Sequence, residues 1–410
     1  MFTKACSDFA KNHALSVGIL GNILEWYNYA LFMPFLPVIS KQFFPQNEYR
    51  ELFTFLVMSM GLFVRPLGSA VFGPIGDRFG RQKAISLSIF CMVIPTIGIA
   101  FLPGYESIGI LSPILLVLLR GMQGISMGGE YTAAMVHLVE KAPANRRGFF
   151  GSFSDSGSQV GVLLGGQSLM FLYTFFSNEE IYDYAWRIPF FMAIILLPFV
   201  FLVPKQENVA KKEKKSIIEL LGRHKKEVLC TIAITSFSAT AFYTLLTFFP
   251  FVLVNKGILS LDKTTYGINI ANIVMIISIL SMGYLSDKFP RKIFLMGGVI
   301  GTCVFMSAML FCDSIAFESY VALTALCGFF MGTYYSSRSA FFAESFPAEI
   351  RCTAVSVSLS LAQAVFGGCT PAVTNYLMGI NNNLSVIPII FCSSLALIAL
   401  FSLKSATKKI

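Results

Sequence analysis

The stretch GPIGDRFGRQK, Gly73 to Lys83, and its echo GYLSDKFPRK, Gly283 to Lys292, decide how this chain is read. Each is a short polar segment set between two long apolar runs. Gly, Asp and Arg stand at the first, fifth and ninth positions of both: Gly73, Asp77 and Arg81 in one, Gly283, Asp287 and Arg291 in the other, 210 residues further on. A second echo lies at an offset of 204, where Glu140, Pro143 and Arg147 keep the spacing of Glu344, Pro347 and Arg351. Two echoes at nearly one offset indicate a parallel internal duplication, a trait of membrane transporters.

The surrounding composition sets the class. Of 410 residues, 55% are hydrophobic and only 13% charged, which excludes an ordinary soluble domain. A bilayer core needs roughly 20 apolar residues per helical span. Twelve such runs follow one another, at 14–38, 52–72, 84–102, 114–138, 148–173, 186–203, 228–254, 265–285, 293–311, 320–342, 352–378 and 387–403. A span in hydrocarbon must satisfy its own backbone hydrogen bonds, so these predict helices. The expected fold is an all-α membrane protein of twelve transmembrane helices in two six-helix halves, residues 1–204 and 228–410. A cytoplasmic linker, residues 205–227, joins them.

The net charge of +9 invites a nucleic-acid reading, which sorting the charges by loop removes. With both termini cytoplasmic, 23 of the 31 basic residues fall inside, 5 outside and 3 within runs, while acidic residues divide 10, 9 and 3. The asymmetry belongs to Lys and Arg alone, which is the positive-inside pattern. No nucleic-acid partner is expected, and the lipid bilayer is. The first run lacks a small-residue cleavage site and reads as an uncleaved anchor. The nine cysteines include no Cys-x-x-Cys pair, and His13, His137 and His224 lie far apart, so neither a disulfide framework nor a metal site is indicated. In the linker, SIIELLGRHKK reads either as a segment lying on an anionic leaflet or as a solvated connection.

Further strings carry a family resemblance: GNILEWYNYALF from Gly21, RPLGSAVFG from Arg65, RGMQGISMGGEYTAA from Arg120, WRIPFF from Trp186, ESFPAEIR from Glu344 and FGGCTP from Phe366. Together with the duplicated loops, they make the chain resemble the major facilitator superfamily. Within it, the resemblance is to the metabolite:proton symporters, the carriers of proline/betaine, 2-oxoglutarate, citrate and shikimate. It implies that Asp77, Arg81, Asp287 and Arg291 are gating residues making cytoplasmic contacts. It also implies a protein of a bacterial inner membrane with no cofactor beyond a coupling proton. One position departs from the family's Glu-Trp-Tyr/Phe-Asp pattern, because Asn28 stands where the Asp is usual, and an amide carries no proton; coupling then rests on Glu25 alone or on Glu130, or the protein is a uniporter or exchanger.

Six ionisable residues remain within the runs: Glu25, Arg65, Arg120, Glu130, Asp155 and Arg338. Each costs roughly 2.5–3.5 kcal/mol near a helix centre on insertion scales, so each needs partners or water and is a functional candidate. Gly21, Glu25 and Asn28 share a helix face. Glu25 is therefore the candidate for proton coupling; the other reading is a permanent ion pair with an arginine. Arg120, one turn from Gln123, can grip a substrate carboxylate through two parallel hydrogen bonds, shuttle between substrate and Glu25, or pair with a neighbouring helix. Arg65, Glu130 and Asp155 are read as inner-gate residues. Arg338 is read with them, either tuning the site toward anions or pairing with Glu344. Asn28, Tyr243, Asn272 and Gln363 are candidates to complete a binding site, though polar groups also hydrogen-bond between membrane helices.

The expected function is secondary active import of a small carboxylate or zwitterion, by proton symport and as a monomer. A proton-independent uniporter or exchanger of the same solutes is the alternative. A non-transporting nutrient sensor would carry an appended signalling domain, whereas only a short tail follows the twelfth run. An enzyme would need a nucleophile and base, a metal cluster or a phosphate-cradling loop, none of which is read.

Overall fold

A computed structural model describes residues 13–32, 34–46, 50–195, 222–310, 315–368, 370 and 394–402. The described residues are helical, with no strand among them. The longer helices are α1 His13–Leu31, α2 Leu36–Phe43, α3 Arg50–Phe79, α4 Arg81–Phe101, α5 Leu111–Met127, α6 Glu130–Lys141, α7 Arg147–Tyr173 and α8 Ile188–Ile195, then α9 Lys225–Tyr243, α10 Leu261–Leu285, α11 Arg291–Leu310, α12 Phe317–Ser345 and α13 Arg351–Ala362. Among the described residues, five stretches are long and apolar enough to cross a membrane: Arg81–Phe101, Leu111–Lys141, Lys225–Leu246, Leu261–Leu285 and Arg291–Met309. The amphipathic linker string lies mostly outside the described residues, as do parts of the sixth, eleventh and twelfth runs.

Several runs are interrupted, for local reasons. The run at 14–38 ends as a helix at Leu31 and resumes at Leu36, because Pro34 and Pro37 lack N–H donors and cannot continue a ladder. The run at 228–254 widens into a π-helical turn over Thr244–Phe248, just ahead of Pro250, whose ring would crowd the carbonyl four residues back. A second π-helical turn, Gln363–Gly367, follows α13. The run at 114–138 breaks between α5 and α6 at Gly128 and Gly129.

The chain divides into two compact units, one of residues 1–137 and 157–213, the other of residues 138–156 and 214–410. In the first unit α3 packs on α5, and α4 packs on α5 and α3. In the second α10 and α11 both pack on α12, and α9 packs on α13. The first unit's aromatic core gathers Phe32, Phe35, Phe43, Trp186 and Phe190, with the Phe43 and Trp186 ring centroids 5.6 Å apart.

The duplication read from the loops extends into these helices. A Cβ placed on Gly124 would lie 2.4 Å from the Gly61 carbonyl oxygen, and one on Gly128 would lie 2.3 Å from that of Arg65. Advancing α3 by 210 and α5 by 204 lands on Ala271 with Gly328 and on Met275 with Gly332. There the corresponding distances are 2.3 Å and 2.6 Å. Each unit therefore holds the same backbone-to-backbone helix contact, which only glycine permits. The copies differ one residue later: Gly129 corresponds to Thr333, and α12 runs unbroken where α5 stops. A second glycine in succession removes helix propensity at that point.

Candidate functional site

In the first unit, α1 lies along α5 and α6 in antiparallel register. Gly18 meets Ala134, Gly21 meets Glu130, and Phe32 meets Arg120. The face bearing Gly21, Glu25, Asn28 and Phe32 is thus turned toward the helix that carries Arg120 and Glu130.

Glu25 is fully buried, and its Oε1 is 3.8 Å from the Arg65 guanidinium, which is equally buried on α3. Arg65 also stands 5.9 Å from the centroid of the Tyr131 ring. Glu130 opens α6 directly after the Gly128–Gly129 break, and a Cβ on Gly21 would come within 2.4 Å of its Oε1. It is close enough to Glu25 for the two charges to interact, and neither of its oxygens has a hydrogen-bond partner among the described residues. The Tyr131 N–H, in the first turn of α6, faces Glu25. Arg65 and Glu130, expected among the gate residues, therefore stand with Glu25.

Arg120 is buried on α5. Its Nη1 donates to Gln123 Oε1 at 2.8 Å, and Gln123 Nε2 donates to Thr96 Oγ1 of α4 at 2.7 Å. The guanidinium lies 3.8 Å from the Phe32 ring centroid and 5.9 Å from that of Tyr29. A planar cation seated on aromatic faces and oriented by a neutral amide is suited to a carboxylate. Asn28 is buried on the face between the Glu25 and Arg120 clusters, with both amide atoms lacking partners among the described residues.

The second unit holds the other candidates. Tyr243 is buried at the end of α9, beside the π-helical turn and against the Phe242 ring. Gln363 opens the other π-helical turn, which packs on α9. Asn272 is buried on α10, and like Gln363 it has an amide oxygen without a partner among the described residues. The positions equivalent to Arg65, Arg120 and Glu130 are Met275, Thr324 and Tyr334, so this copy lacks the charged cluster.

Its charges lie elsewhere. Arg338 pairs with Asp155 and rests on the Tyr335 ring at 4.5 Å, and Ser339 Oγ donates to Asp155 Oδ2 at 2.5 Å. Glu344, the alternative partner for Arg338, instead takes a two-point contact from Arg291, 2.8 Å from Nε and 2.9 Å from Nη2. Asp287 accepts the N–H groups of Gly148, at 2.6 Å, and Phe149, at 2.9 Å, at the start of α7. Arg351 pairs with Glu140 at 2.8 Å. In the first unit, Asp77 and Arg81 pair with each other across one turn. Residues 138–156 belong to the first half by sequence, yet these contacts bind them into the second unit. Glu140 and Arg351 are each at least a fifth exposed, so Glu140→Gln is expected to cost at most about 1 kcal/mol, measured as a small shift in the thermal midpoint of the purified protein.

Sequence reasoning missed Tyr131, Phe32, Tyr29, Thr96 and Ser339. Tyr131 was signalled only by adjacency to Glu130, and Phe32 by its place one turn beyond Asn28. Among the described residues no three His, Cys, Asp or Glu side chains gather to hold a metal.

Comparison with known proteins gives a consistent picture. The family described as "Sugar (and other) transporter" matches residues 14–208, and that described as "Major Facilitator Superfamily" matches residues 256–409. The proline/betaine transporter of Escherichia coli (strain K12) is 30% identical over 415 residues, covering 95% of this chain and 82% of its own. A relative from Staphylococcus aureus (strain COL), also named for proline/betaine transport, is 31% identical over 387 residues, covering 90% and 82%. The fold is that of the proton:xylose symporter XylE bound to 6-bromo-6-deoxy-D-glucose, with a TM-score of 0.80 at 17% identity over 98% of this chain and 96% of that one.

Proposed function

The chain belongs to the major facilitator superfamily and is a transporter, not an enzyme; on that premise we propose that it imports a small carboxylate or zwitterion of the proline/betaine kind by proton symport. We place it in a bacterial inner membrane with twelve spans in two six-helix halves and both termini cytoplasmic, working as a monomer by alternating access. The observation that carries the reading is the concentration of buried charge in one repeat. Glu25, Arg65, Arg120 and Glu130 are all buried in the first unit, while the equivalents of the last three in the second are uncharged. A duplicated scaffold has no structural need for such a difference, and buried ionisable groups in a membrane mark ion and substrate paths.

In this reading Arg120 holds the substrate carboxylate, Gln123 orients the guanidinium, and Asn28 lies beside the site. Glu25 takes up the proton. Tyr243, Asn272 and Gln363 are the second repeat's candidates for substrate contact. Asp77, Arg81, Asp155, Asp287, Arg291 and Arg338 form the cytoplasmic gate. Symport requires that proton and substrate each favour the state that crosses.

The test is uptake into proteoliposomes of a labelled panel of carboxylates, amino acids and betaines, with and without an inward proton gradient. Arg120→Lys keeps the charge but loses the fork, and replacing two charge-assisted hydrogen bonds by one is expected to raise KM for the transported carboxylate roughly 10- to 100-fold. An unchanged KM would remove Arg120 from the site. Uptake indifferent to the gradient in the wild type would make the protein a uniporter or exchanger.

A further inference from the structure

We infer that Glu130 is the second carboxyl of a proton-sharing pair with Glu25, the partner of Arg65, and that this pair takes the place of the carboxylate missing at position 28. The inference rests on the proton-coupled reading above and assigns the proton to two residues on different helices.

Glu25 is the group common to both contacts: its Oε1 lies 3.8 Å from the Arg65 guanidinium, and its charge is felt by the buried Glu130. The Tyr131 ring stands by Arg65, and the apolar Ile89 lies against Gly21. With both carboxyls ionised the cluster is buried with a net charge of −1; with one proton it is neutral. Burial in apolar surroundings therefore favours a single proton on the pair, and Arg65 balances whichever carboxylate is left. Such a pair titrates as a unit, so the proton belongs to neither residue alone.

The backbone supports the sharing. Gly21 has no side chain to separate Glu130 from α1, and the Gly128–Gly129 break sets Glu130 into the first turn of α6. There the helix dipole stabilises its anionic form when the proton resides on Glu25. The stripe continues through Asn28 to Phe32 and Arg120, a rise of roughly 10 Å along α1 from Glu25. Proton occupancy and substrate occupancy are thereby read on one helix. The cycle balances simply: a proton from external water binds one carboxylate oxygen and later leaves to cytoplasmic water, and no other bond forms or breaks.

Infrared difference spectroscopy of the full chain in bilayers, titrated with pH, tests this. The wild type is expected to show one titrating carboxyl band from the pair. Glu130→Gln leaves Glu25 and Arg65 as a balanced ion pair, so the band is expected to disappear. Gradient-driven accumulation should vanish while substrate exchange persists. Retention of both the band and the gradient dependence in Glu130→Gln would assign the proton to Glu25 alone and overturn the inference. Should that variant not accumulate as folded protein, Glu130→Asp keeps the carboxyl and is expected to shift the midpoint of the band, whereas an unmoved midpoint overturns the proposal. The spectrum needs no transported substrate, so it still reports on the pair if no solute in the uptake panel is carried.

Discussion

Arg65→Met is expected to abolish transport and to cost about 3–5 kcal/mol of stability, because it strands the buried Glu25 carboxylate without the guanidinium that pairs with it. Methionine matches the residue at the equivalent position of the second repeat, Met275, which sits in the same helix contact without a charge. Side-chain volume and helix packing are thus largely preserved, and the loss reports electrostatics. The measurement is the thermal midpoint of the purified protein together with uptake. Adding Glu25→Gln to Arg65→Met leaves only Glu130, which a proton neutralises, so much of the lost stability is expected to return while transport does not. A double variant no more stable than Arg65→Met would mean that the arginine acts through packing.

Gly124→Val is expected to be as damaging for a different reason. Its first added carbon falls 2.4 Å from the Gly61 carbonyl oxygen, a backbone atom that cannot swing aside. Separating α3 from α5 would open the contact on which both Arg65 and Arg120 are mounted. Overpacking of this kind costs roughly 1–3 kcal/mol in soluble cores and more where backbones touch. Gly121→Ala, one turn earlier, meets nothing within 4 Å and is expected to be neutral or mildly stabilising, by up to about 1 kcal/mol. Thermal midpoints of the two variants side by side separate a contact glycine from an incidental one. Gly328→Val should repeat the damage in the second unit, where the added carbon would lie 2.3 Å from the Ala271 carbonyl oxygen.

The fold was legible in the sequence to an unusual depth. The offsets of 210 and 204, taken from short loop motifs, carry the glycine–carbonyl contacts seen in one repeat onto the other, well inside the helices. Loop spacing and helix register are inherited together in a duplication, which is why this works. What the sequence hid follows equally from local chemistry. Along one unbroken run, Glu130 falls toward the cytoplasmic end, where a gate role and a share in proton coupling are both open. The Gly-Gly pair interrupts the 3.6-residue count and starts a new helix, leaving Glu130 against Gly21. The pairing of Arg338 with Asp155, 183 residues apart, had no local signal, whereas Glu344 lies only six residues away in sequence. Periodicity identifies a face, but which opposite charge it meets is decided by tertiary packing.

Glu25, Arg65 and Glu130 also leave the ribosome in that order, which bears on how the protein is made. Each charge entering the bilayer alone costs roughly 2.5–3.5 kcal/mol on insertion scales, whereas Glu25 and Arg65 can enter as a matched hairpin from the first two apolar runs. Glu130 is synthesised 65 residues after Arg65, on the run that also carries Arg120, so the third and fourth buried charges arrive together and with opposite sign. The first unit would thus be inserted with its buried charges matched at each stage, Glu25 by Arg65 and then Arg120 by Glu130.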